Sequence, residues 1–145
     1  MLVQLLKYTL IMNFNNVFVV DDDKIFHFII KKLLMNNNID VNPTFFENGF
    51  DAIECIKNKL KQGDNPPDLI LLDINTPILD GWQFLDEFKI IKKLLNKEII
   101  IYIISSSDNH VDINKAKDYK EEVKNYYLKP MTPKDIKAIF SNNIS

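Results

Sequence analysis

Short runs rich in β-branched and aromatic residues alternate along the chain with longer stretches of helical period. The runs at 17–20, 44–46, 69–72, 99–104 and 123–128 each predict a strand. After the first of them, Phe26, Ile29, Ile30, Leu33 and Leu34 fall at i, i+3, i+4, i+7 and i+8, the stripe of one buried helix face. Ala52, Ile53, Ile56 and Leu60 repeat this period after Gly49, and Leu85, Phe88, Ile91 and Leu95 repeat it after Gly81. The last helix carries a start signal: Thr132 as N-cap, Pro133 at the first helical position and Asp135 three residues after the cap. Five strands alternating with five helices fit the pattern. LILL at 69–72 and EIIIYII at 98–104 are almost wholly apolar, which marks strands buried on both faces of a parallel sheet. The predicted fold is therefore α/β, a doubly wound five-stranded parallel sheet, and such sheets bind ligands at the carboxyl ends of their strands.

Composition narrows the picture. A chain of 145 residues with 46% hydrophobic and 26% charged residues is the size and make-up of one self-sufficient domain. The 18 basic residues are scattered among 20 acidic ones, so direct nucleic-acid binding is not expected. The single cysteine, Cys55, cannot form an intramolecular disulfide; it reads as a core or helix-face residue and suits a reducing, cytoplasmic setting. The opening MLVQLLKYTLIM is interrupted by Gln4, Lys7, Tyr8 and Thr9 and falls short of the ~20 apolar residues of a membrane span, so no membrane insertion is expected. Residues 1–13 read as an amino-terminal extension packed on the domain, or translation begins at Met12; the domain itself takes residues 14–145.

The strand ends carry the candidate chemistry. The first runs into Asp21, Asp22 and Asp23, the third into Asp73, the fourth into Ser105, Ser106 and Ser107, and the fifth into Lys129-Pro130. Singly, each has a plain explanation: Asp22 or Asp23 as a helix cap, a solvated serine loop, a proline leaving a strand. Their coincidence at four strand ends is what those explanations leave out. Clustered carboxylates need a cation, and magnesium takes one or two carboxylates while keeping room for waters and a phosphate. Asp73 then becomes a candidate nucleophile toward phosphorus, with Lys129 and the Ser105 hydroxyl to neutralise the equatorial oxygens.

The segments VFVVDDD, PDLILLDINTPILDGWQFL, IYIISSS and YYLKP resemble the receiver domains of two-component response regulators, in particular the stand-alone chemotaxis-type and phytochrome-associated regulators. The resemblance runs from about Asn16 to Ile139 and implies the flavodoxin-like receiver fold with strand order 2-1-3-4-5. It implies that Asp21, Asp22, Asp73 and the backbone carbonyl of Asn75 hold Mg2+ and that Asp73 is the phospho-acceptor. Ser105 becomes the switch hydroxyl, Lys129 the phosphate-facing lysine before a commonly cis proline bond, and Tyr126 the aromatic switch, whose plain alternative is half-buried strand packing. Gly81 is expected where the backbone must be permissive. The implied partners are a histidine kinase or phosphotransfer protein and a downstream protein target, with the chain a monomer or weak homodimer that catalyses only its own phosphorylation and hydrolysis.

The sequence departs from the family at Ser106, where alanine or glycine is usual, and at Lys120, Glu121 and Glu122, where many members turn with Ala-Gly; the latter puts the fourth helix in question. His27 lies off the apolar stripe and is not read as a phosphorelay histidine, His110 reads as a solvated loop residue, and Phe28 as an exposed contact for a kinase. Three rivals stand beside a terminal switch. One is a phosphorelay intermediate and another a phosphate-independent interaction module. The third is a haloacid-dehalogenase-type phosphatase, which Asn75 in place of the second acid and the position of Asp73 after the third strand both oppose.

Overall fold

The computed structural model describes residues 14–141, so the extension at 1–13 lies outside the described residues. Five parallel strands, β1 (Val17–Val20), β2 (Thr44–Phe46), β3 (Leu69–Leu72), β4 (Ile100–Ser105) and β5 (Val123–Leu128), form one sheet in the order β2-β1-β3-β4-β5. The helices are α1 (Lys24–Asn36), α2 (Gly49–Gln62), α3 (Gly81–Ile91), α4 (His110–Lys117) and α5 (Pro133–Phe140). The expected fold is the observed one. The fourth strand starts and ends one residue later than its apolar run, because it continues into Ser105.

Every helix begins with a side-chain cap to an otherwise orphaned N–H. Asp23, Asn48 and Asn109 cap α1, α2 and α4. Asp80 with Gln83 and Thr132 with Asp135 form reciprocal capping boxes on α3 and α5. Of the predicted α1 stripe, Phe26, Ile30 and Leu34 are buried and Leu33 is half-buried, but Ile29 is 38% exposed. The buried positions repeat every four residues, which keeps them on one line and turns Ile29 away from it. The third helix also stops earlier than its period suggested: α3 ends at Ile91, and a 3-10 turn over Lys92–Leu94 leads to half-buried Leu95.

Strand residues alternate between two cores, one on each face. Phe18, Val20, Ile70, Leu72, Ile101 and Ile103 pack with Ile53, Phe84 and Leu85 of α2 and α3. Val17, Val19, Leu69, Leu71, Tyr102 and Ile104 pack with Ile30 and Ile136 of α1 and α5. Cys55 is half-buried against the first core as a free thiol.

The atypical segment after α4 is anchored rather than loose. Only Ala116 of α4 itself is buried, and the anchoring is done by Tyr119 and Glu122. Tyr119 stacks on Trp82 at 5.6 Å, donates to Asp86 at 2.8 Å and lies under the Lys89 ammonium at 4.3 Å. Burial and the Asp86 carboxylate push its phenol up to about 12. Buried Glu122 pairs with Lys92 just beyond α3. These contacts hold the α4–β5 connection against α3.

Candidate functional site

Strand register brings the acidic residues together. β1 and β3 pair with Val20 opposite Leu72, so the next residues, Asp21 and Asp73, leave the sheet side by side, and the Asp73 N–H donates to the Val20 carbonyl at 2.9 Å. One carboxylate oxygen from each of Asp21, Asp22 and Asp73 lies within 4.8 Å of the others. Asp23 is set apart from this group: it caps α1 by accepting from the Ile25 N–H at 2.9 Å.

Lys129 arrives from the far edge. Its N–H donates to the Ser105 carbonyl at 2.8 Å, and its Nζ lies 2.6 Å from Asp21 Oδ2 and 3.7 Å from Asp73 Oδ2, over the Phe26 ring. The Lys129-Pro130 bond is cis. The lysine is thus paired more closely with Asp21, a metal-ligand candidate, than with Asp73, the candidate acceptor. Among the described residues the Asp73 carboxylate accepts one hydrogen bond, from the Asn75 N–H at 3.2 Å, on its other oxygen. Burial, then the neighbouring Asp21 charge, push its carboxyl from the ordinary 3.8 up to about 6, and Lys129 only partly offsets them.

Ser105 is fully buried at the end of β4, and its Oγ accepts the Ser107 N–H at 3.1 Å. Tyr126 is half-buried, and its hydroxyl donates to the Ser107 carbonyl at 2.7 Å, so the ring is tied to the same loop as Ser105. Exposed Ser106 sits between them. His110 is the exposed first residue of α4, not a loop residue.

All donors in the acidic group are oxygens, and one ammonium faces three carboxylates. That excess of charge in an oxygen-only set fits a hard divalent ion such as magnesium. Among known sequences, the model of the response regulator receiver domain matches residues 17–141. The chain belongs to that family. It is 28% identical over 121 residues to response regulator Rcp1 of Synechocystis, covering 83% of this chain and 80% of Rcp1. The crystal structure of the Mn(2+)-bound form of Rcp1 superposes with a TM-score of 0.67 at 25% identity, over 88% of this chain and 90% of that one. A two-component response regulator from Cytophaga hutchinsonii superposes with a TM-score of 0.77 at 25% identity, over 90% of this chain and 97% of its own. The phosphorylated cyanobacterial phytochrome response regulator RcpA gives 0.70 at 28%, over 89% and 90%.

In this receiver domain the loop after Asp73 corrects one expectation. Gly81 does not have a positive φ; the left-handed residue is Ile78, at φ 69°, the centre of a γ-turn closed by Leu79 N–H to the Pro77 carbonyl at 2.7 Å. Gly81 is needed for space. A Cβ there would sit 2.6 Å from Ile74 Cα and 2.8 Å from the Asp73 carbonyl. A β-branched residue in the left-handed region is strained, and Ile78 is 76% exposed, so its side chain recovers little by packing. Ile78→Gly is therefore expected to stabilise the domain by about 1 kcal/mol in urea titration, the strain of one left-handed residue; an unchanged midpoint would show the turn to be unstrained.

The receiver motifs gave no sign of His27. The half-buried ring places Nε2 2.6 Å from the Asp21 carbonyl and lies 4.7 Å from Phe45. Its position six residues after the first acid was the available signal, because a helical side chain leans back toward the helix start.

Proposed function

We propose that this receiver domain accepts a phosphoryl group on Asp73 in a magnesium-dependent transfer and signals through protein contacts. The convergence of Asp21, Asp22, Asp73 and Lys129 at the carboxyl ends of the strands carries the reading. In the reaction an Asp73 oxygen attacks phosphorus, the bond to the donor's nitrogen or oxygen breaks with its electron pair, and the leaving group departs opposite. Asp21 and Asp22, with Asp73 itself and the Asn75 carbonyl, would hold Mg2+, which supplies charge stabilisation to the phosphoryl oxygens. Lys129 moves from Asp21 toward the new phosphoryl group, and Ser105 turns away from the Ser107 N–H so that its own O–H donates to a phosphoryl oxygen. Tyr126, bound to the Ser107 carbonyl, reads that turn as a displacement of the β4–α4 loop.

The donor is a histidine kinase or phosphotransfer protein. Ile25 and Phe28 stand exposed at 70 and 59% near the start of α1, which follows the acidic residues directly, and an apolar helix face of this kind suits a helical partner. Among the described residues no helix is long and apolar enough to cross a membrane, and the reading places the protein in the cytoplasm.

Intact-mass spectrometry after incubation with acetyl phosphate tests the chemistry. A single phosphoryl adduct is expected with magnesium, and none with chelator or in Asp73→Asn. An adduct that persists in Asp73→Asn would assign the acceptor elsewhere; no adduct in the parent chain would favour a phosphate-independent module.

A further inference from the structure

Asp21 has every polar group engaged. Its N–H donates to the Phe46 carbonyl at 2.9 Å, Oδ1 accepts the Asp23 N–H at 2.8 Å, and Oδ2 accepts Lys129 at 2.6 Å. The remaining group, the carbonyl, meets His27 Nε2 at 2.6 Å. A carbonyl can only accept, so Nε2 carries the proton. That carbonyl belongs to the peptide joining Asp21 to Asp22, and the plane of one peptide orients the start of both side chains. The His27 ring is itself held, at 4.7 Å and 34° to Phe45 of β2.

We propose that His27 is a positioning residue for the acidic site: its Nε2–H fixes the Asp21–Asp22 peptide, and through it the two carboxylates that ligate the divalent cation. The inference rests on the metal-binding reading above. Its chemistry is that of an outer-shell donor, which prepares ligands without touching the ion. Without the donor the Asp21 carbonyl, in a residue only 1% exposed, loses its hydrogen bond and the peptide is free to turn.

Isothermal calorimetry with magnesium alone, on the parent chain, His27→Gln and His27→Phe, tests the role apart from phosphorylation. The Phe ring keeps the packing on Phe45 and removes the donor; Gln places an amide N–H at nearly the same reach. His27→Phe is expected to weaken magnesium binding about tenfold, with His27→Gln close to the parent and all three melting cooperatively. Equal affinity in parent and His27→Phe, or equal loss in both variants, overturns the role of the donor while leaving the metal site intact. A parent chain that binds no magnesium overturns the metal site itself. Should His27→Phe fail to fold, the 15N spectrum of the parent decides: a slowly exchanging Nε2 proton whose shift moves on magnesium saturation is expected, and one in fast exchange with water excludes the bond.

Discussion

In metal-free buffer at pH 7, Asp73→Asn melts higher than the parent chain. The Asp73 carboxyl is pushed up to about 6 in the folded domain, against an ordinary 3.8 when unfolded, so the folded state binds the proton more tightly. Between those values the folded chain holds more protons than the unfolded one, and stability falls as pH rises. Above pH 7 the full penalty of a charged Asp73, buried and beside Asp21, is in place. A shift of this size corresponds to at most ~3 kcal/mol, and roughly half survives screening at the solvent-facing rim of the sheet. Asn keeps an oxygen for the Asn75 N–H and offers its amide hydrogens to the neighbouring carboxylates. The expected gain is about 1–2 kcal/mol, or ~3–8 °C in melting temperature, vanishing toward pH 4. On the proposed metal site magnesium is expected to reverse the order: at a hundredfold excess over its dissociation constant it would stabilise the parent by ~2.7 kcal/mol, and Asp73→Asn, without one candidate ligand, would gain less. A stability gap that stays constant from pH 4 to 7.5 would mean that ionising the buried Asp73 does not strain the fold.

Gly81→Ala is expected to destabilise the domain by about 2–4 kcal/mol, more than a single methyl ordinarily costs by overpacking. Gly81 opens α3 and its N–H donates to the Ile74 carbonyl at 3.0 Å, so helix and strand end are already in contact. A Cβ there meets Ile74 Cα and the Asp73 carbonyl, both backbone, and no side chain can rotate to make room. Relief requires lifting the start of α3 or displacing the backbone of Asp73. The second route damages the site directly, so loss of stability and loss of phosphoryl adduct should appear together. Denaturant titration and intact mass measure both. A normal midpoint in Gly81→Ala would show that α3 can lift freely, and the close approach would then have no energetic meaning.

The fold was readable from local chemistry. Apolar runs bounded by polar residues mark strands whatever their neighbours are, and the periods after Asp23, Asn48 and Thr132 mark helices that those residues cap. The candidate site was readable for the same reason. A doubly wound sheet delivers strand ends to one rim, so Asp21, Asp73, Ser105 and Lys129 were identifiable as residues that end apolar runs. Ile29 was misplaced because the period admits two adjacent rows and only packing chooses between them.

What the sequence alone determined is thus the inventory of elements and the chemistry at their ends, since both follow from interactions a few residues apart. Tertiary structure decided the pairings. Lys129 prefers Asp21 to Asp73 although 108 and 56 residues separate it from them, a choice that depends on how the strands align. An irregularity in β5, where Ile101 and Tyr102 face Val123 and Asn125, leaves Lys124 unpaired and sets which side Tyr126 presents. The bond from His27 to the Asp21 carbonyl, the left-handed Ile78 and the crowding around Gly81 likewise arise only once strand, loop and helix are brought together. Their energies depend on distances between backbones, and a string of side-chain types does not contain those distances.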